Sequence, residues 1–273
     1  MENKWRDAKI RNTRNRYVLV TGCDSGLGNA IAKHLDRLGV NVFASCLTKE
    51  GEENLKATCS SRLVTLRLDV TNKESISKAF HFVKEHLPTE KDLWGIVNNA
   101  GLQTLHAPIE LHSDSHFEKT MAVNLFGTVY VTREFLPLLR RSRGRVVNIS
   151  SDAGLMTWPA RSAYCMSKYG VESFTDCIRR EMYYVGINAS TVIPGAFKTS
   201  IVSPAGMTAQ LEDACSRVSE EVRDFYGEGF YEEYICPDTG SQKPDPGNAG
   251  KSVVASSPIN IFAVIAFFAF LQQ

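Results

Sequence analysis

Tyr17-Val18-Leu19-Val20-Thr21-Gly22-Cys23-Asp24-Ser25-Gly26-Leu27-Gly28 decides the fold of this 273-residue chain. Four β-prone residues run into a glycine-rich turn, after which Ile31, Leu35 and Leu38 recur at helical spacing. The pattern predicts strand, glycine loop, helix. Glycine lets the backbone turn tightly and approach a diphosphate closely, and the first N–H groups of the following helix offer donors at the positive end of its dipole. A dinucleotide is the expected ligand, with Gly22, Ser25, Gly26, Leu27 and Gly28 as its contacts. The spacing Gly22, Gly26, Gly28 departs from the G-x-G-x-x-G fingerprint, and a glycine cluster by itself also serves as a plain turn.

Outward from this stretch the alternation continues. Val40 to Cys46 reads as a second strand, at whose end an acid commonly holds the adenosine ribose of NAD. Ser45 and Cys46 stand there instead, but no arginine reads a 2′-phosphate and Asp24 would repel one. The balance favours NAD and leaves NADP open. Leu63 to Leu68 makes a third strand ending at Asp69-Val70, and Lys73 to His86 is helical. Leu93 to Val97 is a fourth, ending in Asn98-Asn99-Ala100-Gly101, which suits a ligand crevice at a strand's carboxyl end and equally suits a turn. Phe117 to Leu139 reads as one long amphipathic helix containing Asn124, and Arg145 to Ile149 as a fifth strand ending in Ser150-Ser151. Asn124 alternatively is a solvated helix residue, and Ser151 a cap. Ile187 to Ile193 is a sixth strand, ending in Pro194-Gly195-Ala196-Phe197-Lys198-Thr199. Repeated strand-helix alternation predicts a single α/β domain with a parallel, doubly wound sheet.

Tyr164-Cys165-Met166-Ser167-Lys168 places a phenol and an ammonium one turn apart if Ala163 to Tyr183 is helical. A tyrosine with a pKa of about 10 is a poor base at neutral pH, but an adjacent cation favours its phenolate. The pair is then a general acid or base for an alcohol or carbonyl. Many Tyr-x-x-x-Lys pairs are only a solvated helix face.

Composition narrows the classes. A net charge of +1 provides no field to gather nucleic acid. Seven cysteines without a C-x-x-C pair suit a reducing compartment. His112 and His116 stand four apart, but nothing completes a ligand set, so no metal is assigned.

The motifs T-G-x-x-x-G-x-G, N-N-A-G, N-x-x-G after Val123, I-S-S, Y-x-x-x-K and P-G-x-x-x-T, in that order over residues 17 to 200, resemble the short-chain dehydrogenase/reductase family. The resemblance implies a Rossmann-type domain over 17–235 binding a nicotinamide dinucleotide. It implies that Tyr164 is the acid/base, that Lys168 holds the nicotinamide ribose and lowers the tyrosine pKa, that Ser151 orients the substrate oxygen, and that Asn124 completes a water-mediated proton relay. It extends the cofactor contacts to Asp69, Asn98, Ala100, Tyr164, Lys168, Pro194, Gly195 and Thr199. The chain is most similar to the branch holding D-3-hydroxybutyrate, retinol and hydroxysteroid dehydrogenases, through Arg145 to Ser151, Pro159 to Cys165 and Glu181 to Tyr183. Arg161, three residues before Tyr164, can meet a substrate carboxylate, and Gln103 can add a polar contact; a solvated loop arginine is the alternative. Met156, Trp158 and Phe197 would instead wall an apolar pocket for a retinoid or steroid.

The ends break the pattern. Residues 1–16 form a basic arm. Relatives continue past Ile235 into a seventh strand, but Cys236 to Ser257 reads as a linker, so the sheet is expected to lack or alter its last strand. The apolar tail 258–273 contains Ile259 to Leu271, which as a helix covers about 20 Å against a hydrocarbon core of roughly 30 Å. Membrane contact and packing on the body both remain open, as does a homo-oligomer. The expected location is intracellular, with membrane association at the mitochondrion or endoplasmic reticulum as one option. A rival class, suggested by the tail, is a non-catalytic NAD-binding or membrane-tethered interaction protein.

Overall fold

The computed structural model describes residues 12–194 and 204–227. Within them run β1 (Tyr17–Val20), α1 (Gly26–Arg37), β2 (Asn41–Cys46), α2 (Lys49–Thr58), β3 (Leu63–Arg67), α3 (Lys73–His86) and β4 (Leu93–Asn98). There follow α4 (Asp114–Met121), α5 (Thr128–Ser142), β5 (Arg145–Ile149), α6 (Ser162–Glu181), β6 (Asn188–Val192), α7 (Pro204–Arg217) and α8 (Glu220–Tyr226). Every strand pair is parallel, and the order is β3-β2-β1-β4-β5-β6. The chain winds outward from β1 in one direction, then returns and winds outward from β4 in the other. Loops leaving β1 and β4 therefore part at their carboxyl ends and open a crevice there. This is the Rossmann-type, doubly wound α/β architecture expected from the alternation.

Both faces of the sheet are covered, which is why its central strands are nearly continuous apolar runs. Val18, Val20, Val42 and Ala44 pack with Ile31 and Leu35 of α1 and Leu55 of α2. Leu19, Phe43 and Ile96 point the other way, onto Ile76 and Val83 of α3, Phe135 of α5 and Ile178 of α6. A smaller cluster joins Leu105, Ala107 and Leu111, in the segment after β4, to Leu211 and Ala214 of α7.

One predicted element is corrected. The single helix expected from Phe117 to Leu139 is divided, with a π-helical turn at Ala122–Gly127 between α4 and α5. The wider turn turns Asn124 into the interior, where it is 1% exposed rather than solvated. Gly127 packs so closely that an added Cβ would lie 2.7 Å from Val70 Cγ2. Gly195, Phe197 and Thr199 lie outside the described residues, as do the linker, the apolar tail and most of the basic arm.

Candidate active site

The glycine loop is fastened to the end of β4 by side chains on both. Thr21 Oγ1 accepts from the backbone N–H groups of Asn99 and Ala100, at 3.0 Å each. Asn99 Nδ2 donates to the carbonyls of Thr21 and Gly22, at 2.9 and 3.1 Å. Gly22 adopts a left-handed backbone (φ +68), and an added Cβ would stand 2.8 Å from Ala100 Cα. A Cβ on Gly28 would stand 2.2 Å from the Gly22 carbonyl oxygen. Only glycine fits at these two contacts.

Asp24 turns away from this loop. Its carboxylate accepts from Leu47 N, Thr48 N and Thr48 Oγ1, at 2.8, 2.8 and 2.6 Å, and so ties the loop to the turn after β2. The first turn of α1 carries no acidic residue. An uncovered helix N-terminus beside left-handed glycines, with no carboxylate in its first turn, fits a dinucleotide diphosphate. The negative charge lies at the end of β2, where a ribose edge is read.

One expected cofactor contact, Asn98, turns its side chain into the interior. Asn98 Nδ2 donates to Thr132 Oγ1 and Asn148 Oδ1, both at 2.8 Å, and Asn148 Nδ2 donates to Thr175 Oγ1 at 2.8 Å. That buried chain links β4 and β5 to α5 and α6, so the Asn98 side chain is structural and Asn99 does the loop's work. Asp69 Oδ1 accepts from Thr71 N and Thr71 Oγ1, at 2.9 and 2.7 Å, closing the turn after β3.

The four residues expected to act together are brought together. Lys168 is 5% exposed; its Nζ donates to the Ile149 carbonyl at 2.9 Å and lies 5.6 Å from the Tyr164 ring centroid. Ser151 bonds Tyr164 through its side chain and favours the phenolate. Its Oγ also lies 2.7 Å from Asp152 Oδ1, a second acceptor for its one hydrogen, and accepts from Ala153 N at 3.2 Å, so it is a cap as well. Asn124 Oδ1 accepts from Leu102 N at 2.8 Å, while Nδ2 donates to the Leu102 carbonyl at 2.8 Å and to Ser167 Oγ at 3.0 Å. Thus Asn124 joins the loop after β4 to α6 next to Lys168. A Cβ on Gly101 would lie 3.4 Å from Asn124 Oδ1 and 3.8 Å from Lys168 Nζ, so this loop borders both.

The electrostatics depart from expectation. Burial raises the Tyr164 pKa, and that outweighs the opposing pull of Ser151 and Arg161. The Lys168 ammonium donates to the Ile149 carbonyl, and among the described residues no hydrogen bond joins it to the phenol. Burial lowers Lys168 itself to about 8, with Glu172 opposing.

Arg161 sits at the start of α6, and its charge favours the Tyr164 phenolate. Its Nε donates to His106 Nε2 at 3.4 Å, a contact across 55 positions that sequence reasoning did not anticipate. Gln103 lies half-buried in the same segment after β4. Ala107, Ile109, Trp158, Pro159, Met166 and Tyr169 line an apolar groove of about 510 Å³. Its α6 residues lie on a different face of that helix from Tyr164 and Lys168, and Met156 is 53% exposed. His112 and His116 serve locally: His112 Nε2 bonds the Ala107 carbonyl at 3.0 Å, and His116 Nδ1 caps α4 at Ser113.

A model of the short chain dehydrogenase family matches residues 16–210. The chain is 43% identical over 226 residues to retinol dehydrogenase 7 of Rattus norvegicus, covering 83% of this chain and 71% of that protein. It is 47% identical over 228 residues to the mitochondrial D-beta-hydroxybutyrate dehydrogenase of Rattus norvegicus, covering 81% and 66%. Among solved structures it is similar to levodione reductase, with a TM-score of 0.66 and 27% identity over 74% of this chain and 83% of that one. A serine dehydrogenase complexed with NADP+ gives 0.65 and 27%, covering 74% and 82%.

Proposed function

Since the chain belongs to the short-chain dehydrogenase/reductase family of oxidoreductases acting on CH–OH groups, we propose that it is an NAD-dependent dehydrogenase of short hydroxy acids such as D-3-hydroxybutyrate. The observation carrying this reading is Arg161, a half-buried cation whose charge reaches Tyr164. A carboxylate on that guanidinium brings a hydroxyl a few atoms away toward the phenol.

When bound, the nicotinamide supplies the hydride acceptor. Gly22, Gly26 and Gly28, with the first turn of α1, would hold its diphosphate, and Lys168 would hold its ribose. Ser151 Oγ positions the substrate oxygen, and Tyr164 Oη takes the hydroxyl proton as the carbinol hydrogen leaves as hydride. In reduction, Tyr164 returns that proton to the carbonyl oxygen. Asn124 keeps the loop after β4 and α6 in register and contributes to the proton relay. The Asp24 charge at the end of β2 supports NAD over NADP.

The second reading, a retinoid or steroid alcohol, is favoured by the names of the retinol dehydrogenase relatives. Association with mitochondrial or endoplasmic reticulum membranes through the apolar tail belongs to the proposal; among the described residues no helix is long and apolar enough to cross a membrane. The test is reduction of NAD or NADP by the purified full chain with D-3-hydroxybutyrate, retinol and a hydroxysteroid. Turnover of hydroxybutyrate with NAD, weakened by Arg161→Ala, is the expected result; turnover of retinol or steroid alone would overturn it.

A further inference from the structure

Arg161 does not stand alone at the mouth of the site. Its Nε donates to His106 Nε2 at 3.4 Å, and the flanking residues are joined by a backbone bond, Ala107 N to the Ala160 carbonyl, at 2.9 Å. Ala160 holds a left-handed backbone (φ +63) that residues with a side chain rarely adopt. Two loops from distant parts of the chain are thus clamped together where a histidine meets an arginine. Behind His106, Leu105 and Ala107 are buried against α7, which fixes the loop that presents the imidazole.

We propose that His106 is a positioning residue for the substrate carboxylate, acting through Arg161: by accepting from Nε it fixes the guanidinium plane and leaves the two Nη groups as the fork for the carboxylate. The inference rests on the carboxylate reading of Arg161 given above. Arginine meets a carboxylate side-on, through Nε and one Nη, or end-on, through both Nη groups. With Nε engaged, end-on is the geometry left. Among the described residues no hydrogen bond uses either Nη of Arg161.

The imidazole suits the role. To accept at Nε2 it must be neutral with its proton on Nδ1, and Nδ1 is buried without a hydrogen-bond partner among the described residues. Burial, the Arg161 charge and then His112 lower its pKa to about 4. At neutral pH His106 therefore keeps the lone pair that Arg161 needs.

The experiment compares His106→Ala, His106→Gln, Arg161→Ala and the double Ala variant, using D-3-hydroxybutyrate and an uncharged secondary alcohol such as 2-butanol. Glutamine is the conservative variant, because its carbonyl oxygen can accept from Nε. His106→Ala should raise KM for hydroxybutyrate about tenfold with little change in kcat, leave both parameters for butanol unchanged, and add nothing in the Arg161→Ala background. His106→Gln should restore most of the loss. If Arg161→Ala raises KM for hydroxybutyrate but His106→Ala does not, or if His106→Ala impairs both substrates equally without rescue by glutamine, the positioning role is wrong. If hydroxybutyrate is not turned over, or Arg161→Ala leaves its KM unchanged, the carboxylate reading fails and this inference falls with it.

Discussion

Lys168 Nζ donates to the carbonyl of Ile149, the last residue of β5, at 2.9 Å. The ammonium is thereby held at the strand end beside Tyr164, in a buried side chain. The fold bears an energetic cost at this point, because a buried cation is destabilising unless well partnered.

That cost has a pH signature. Burial lowers Lys168 from 10.5 to about 8. Below pH 8 both folded and unfolded chains carry the proton, and the full cost applies. Between about 8 and 10.5 the unfolded chain binds the proton and the folded chain does not, so this group's contribution to stability rises with pH. Relative to Lys168→Met, the wild type should gain up to about 3 kcal/mol from neutral pH to about pH 10, measured by urea unfolding. A pH-independent gap would show that Lys168 is not titrating in this window.

The charge of Arg161 favours the Tyr164 phenolate, against burial, which raises the phenol's pKa. Removing the cation therefore raises that pKa further. In Arg161→Ala the acidic limb of kcat/KM for oxidation of an uncharged alcohol, where Tyr164 must be deprotonated, should move to higher pH. A limb that stays in place would separate Arg161 from the phenol electrostatically.

Gly28 leaves no room for a methyl group, since its Cβ would lie 2.2 Å from the Gly22 carbonyl oxygen and 2.4 Å from Asn99 Nδ2. Gly28→Ala should cost about 1–3 kcal/mol of stability through overpacking. It should also weaken NAD binding at least about tenfold by displacing the glycine loop. Thermal unfolding with and without NAD reads both effects; an unchanged ligand-induced shift would remove this loop from the cofactor site.

Asp24 places its carboxylate on Leu47 N and Thr48 N at the end of β2. Asp24→Asn preserves shape and removes charge, so it should raise the ratio of kcat/KM for NADP over NAD by roughly fivefold, as expected for loss of about 1 kcal/mol of repulsion. An unmoved ratio would place the cofactor's ribose away from this carboxylate.

The central strands were legible because they are buried on both faces, so their apolar runs are nearly unbroken: Tyr17–Val20 and Arg145–Ile149 are read directly from sequence. The four residues proposed for catalysis, Asn124, Ser151, Tyr164 and Lys168, were legible through the family resemblance that the ordered motifs carry. Asn98 against Asn99 was not separated, although strand alternation holds the clue: Ile96 packs toward α5, and Asn98, two residues on, bonds Thr132 of that helix. The π-turn gave no sequence signal, since its apolar pattern blends into α4 and α5. His106 was invisible because its meaning depends on Arg161, 55 positions away. The rise in the Tyr164 pKa was missed because the sequence shows the neighbouring Lys168 but not the burial of the phenol, which is the largest cause of the rise.

The most direct test of Tyr164 as the proton-transferring group is NADH formation by wild type and Tyr164→Phe on the preferred alcohol, alongside NAD binding by each. Phenylalanine keeps the ring and removes the hydroxyl, so turnover should fall by at least about a thousandfold while NAD affinity stays nearly unchanged. A Tyr164→Phe enzyme that forms NADH at the wild-type rate would contradict the account.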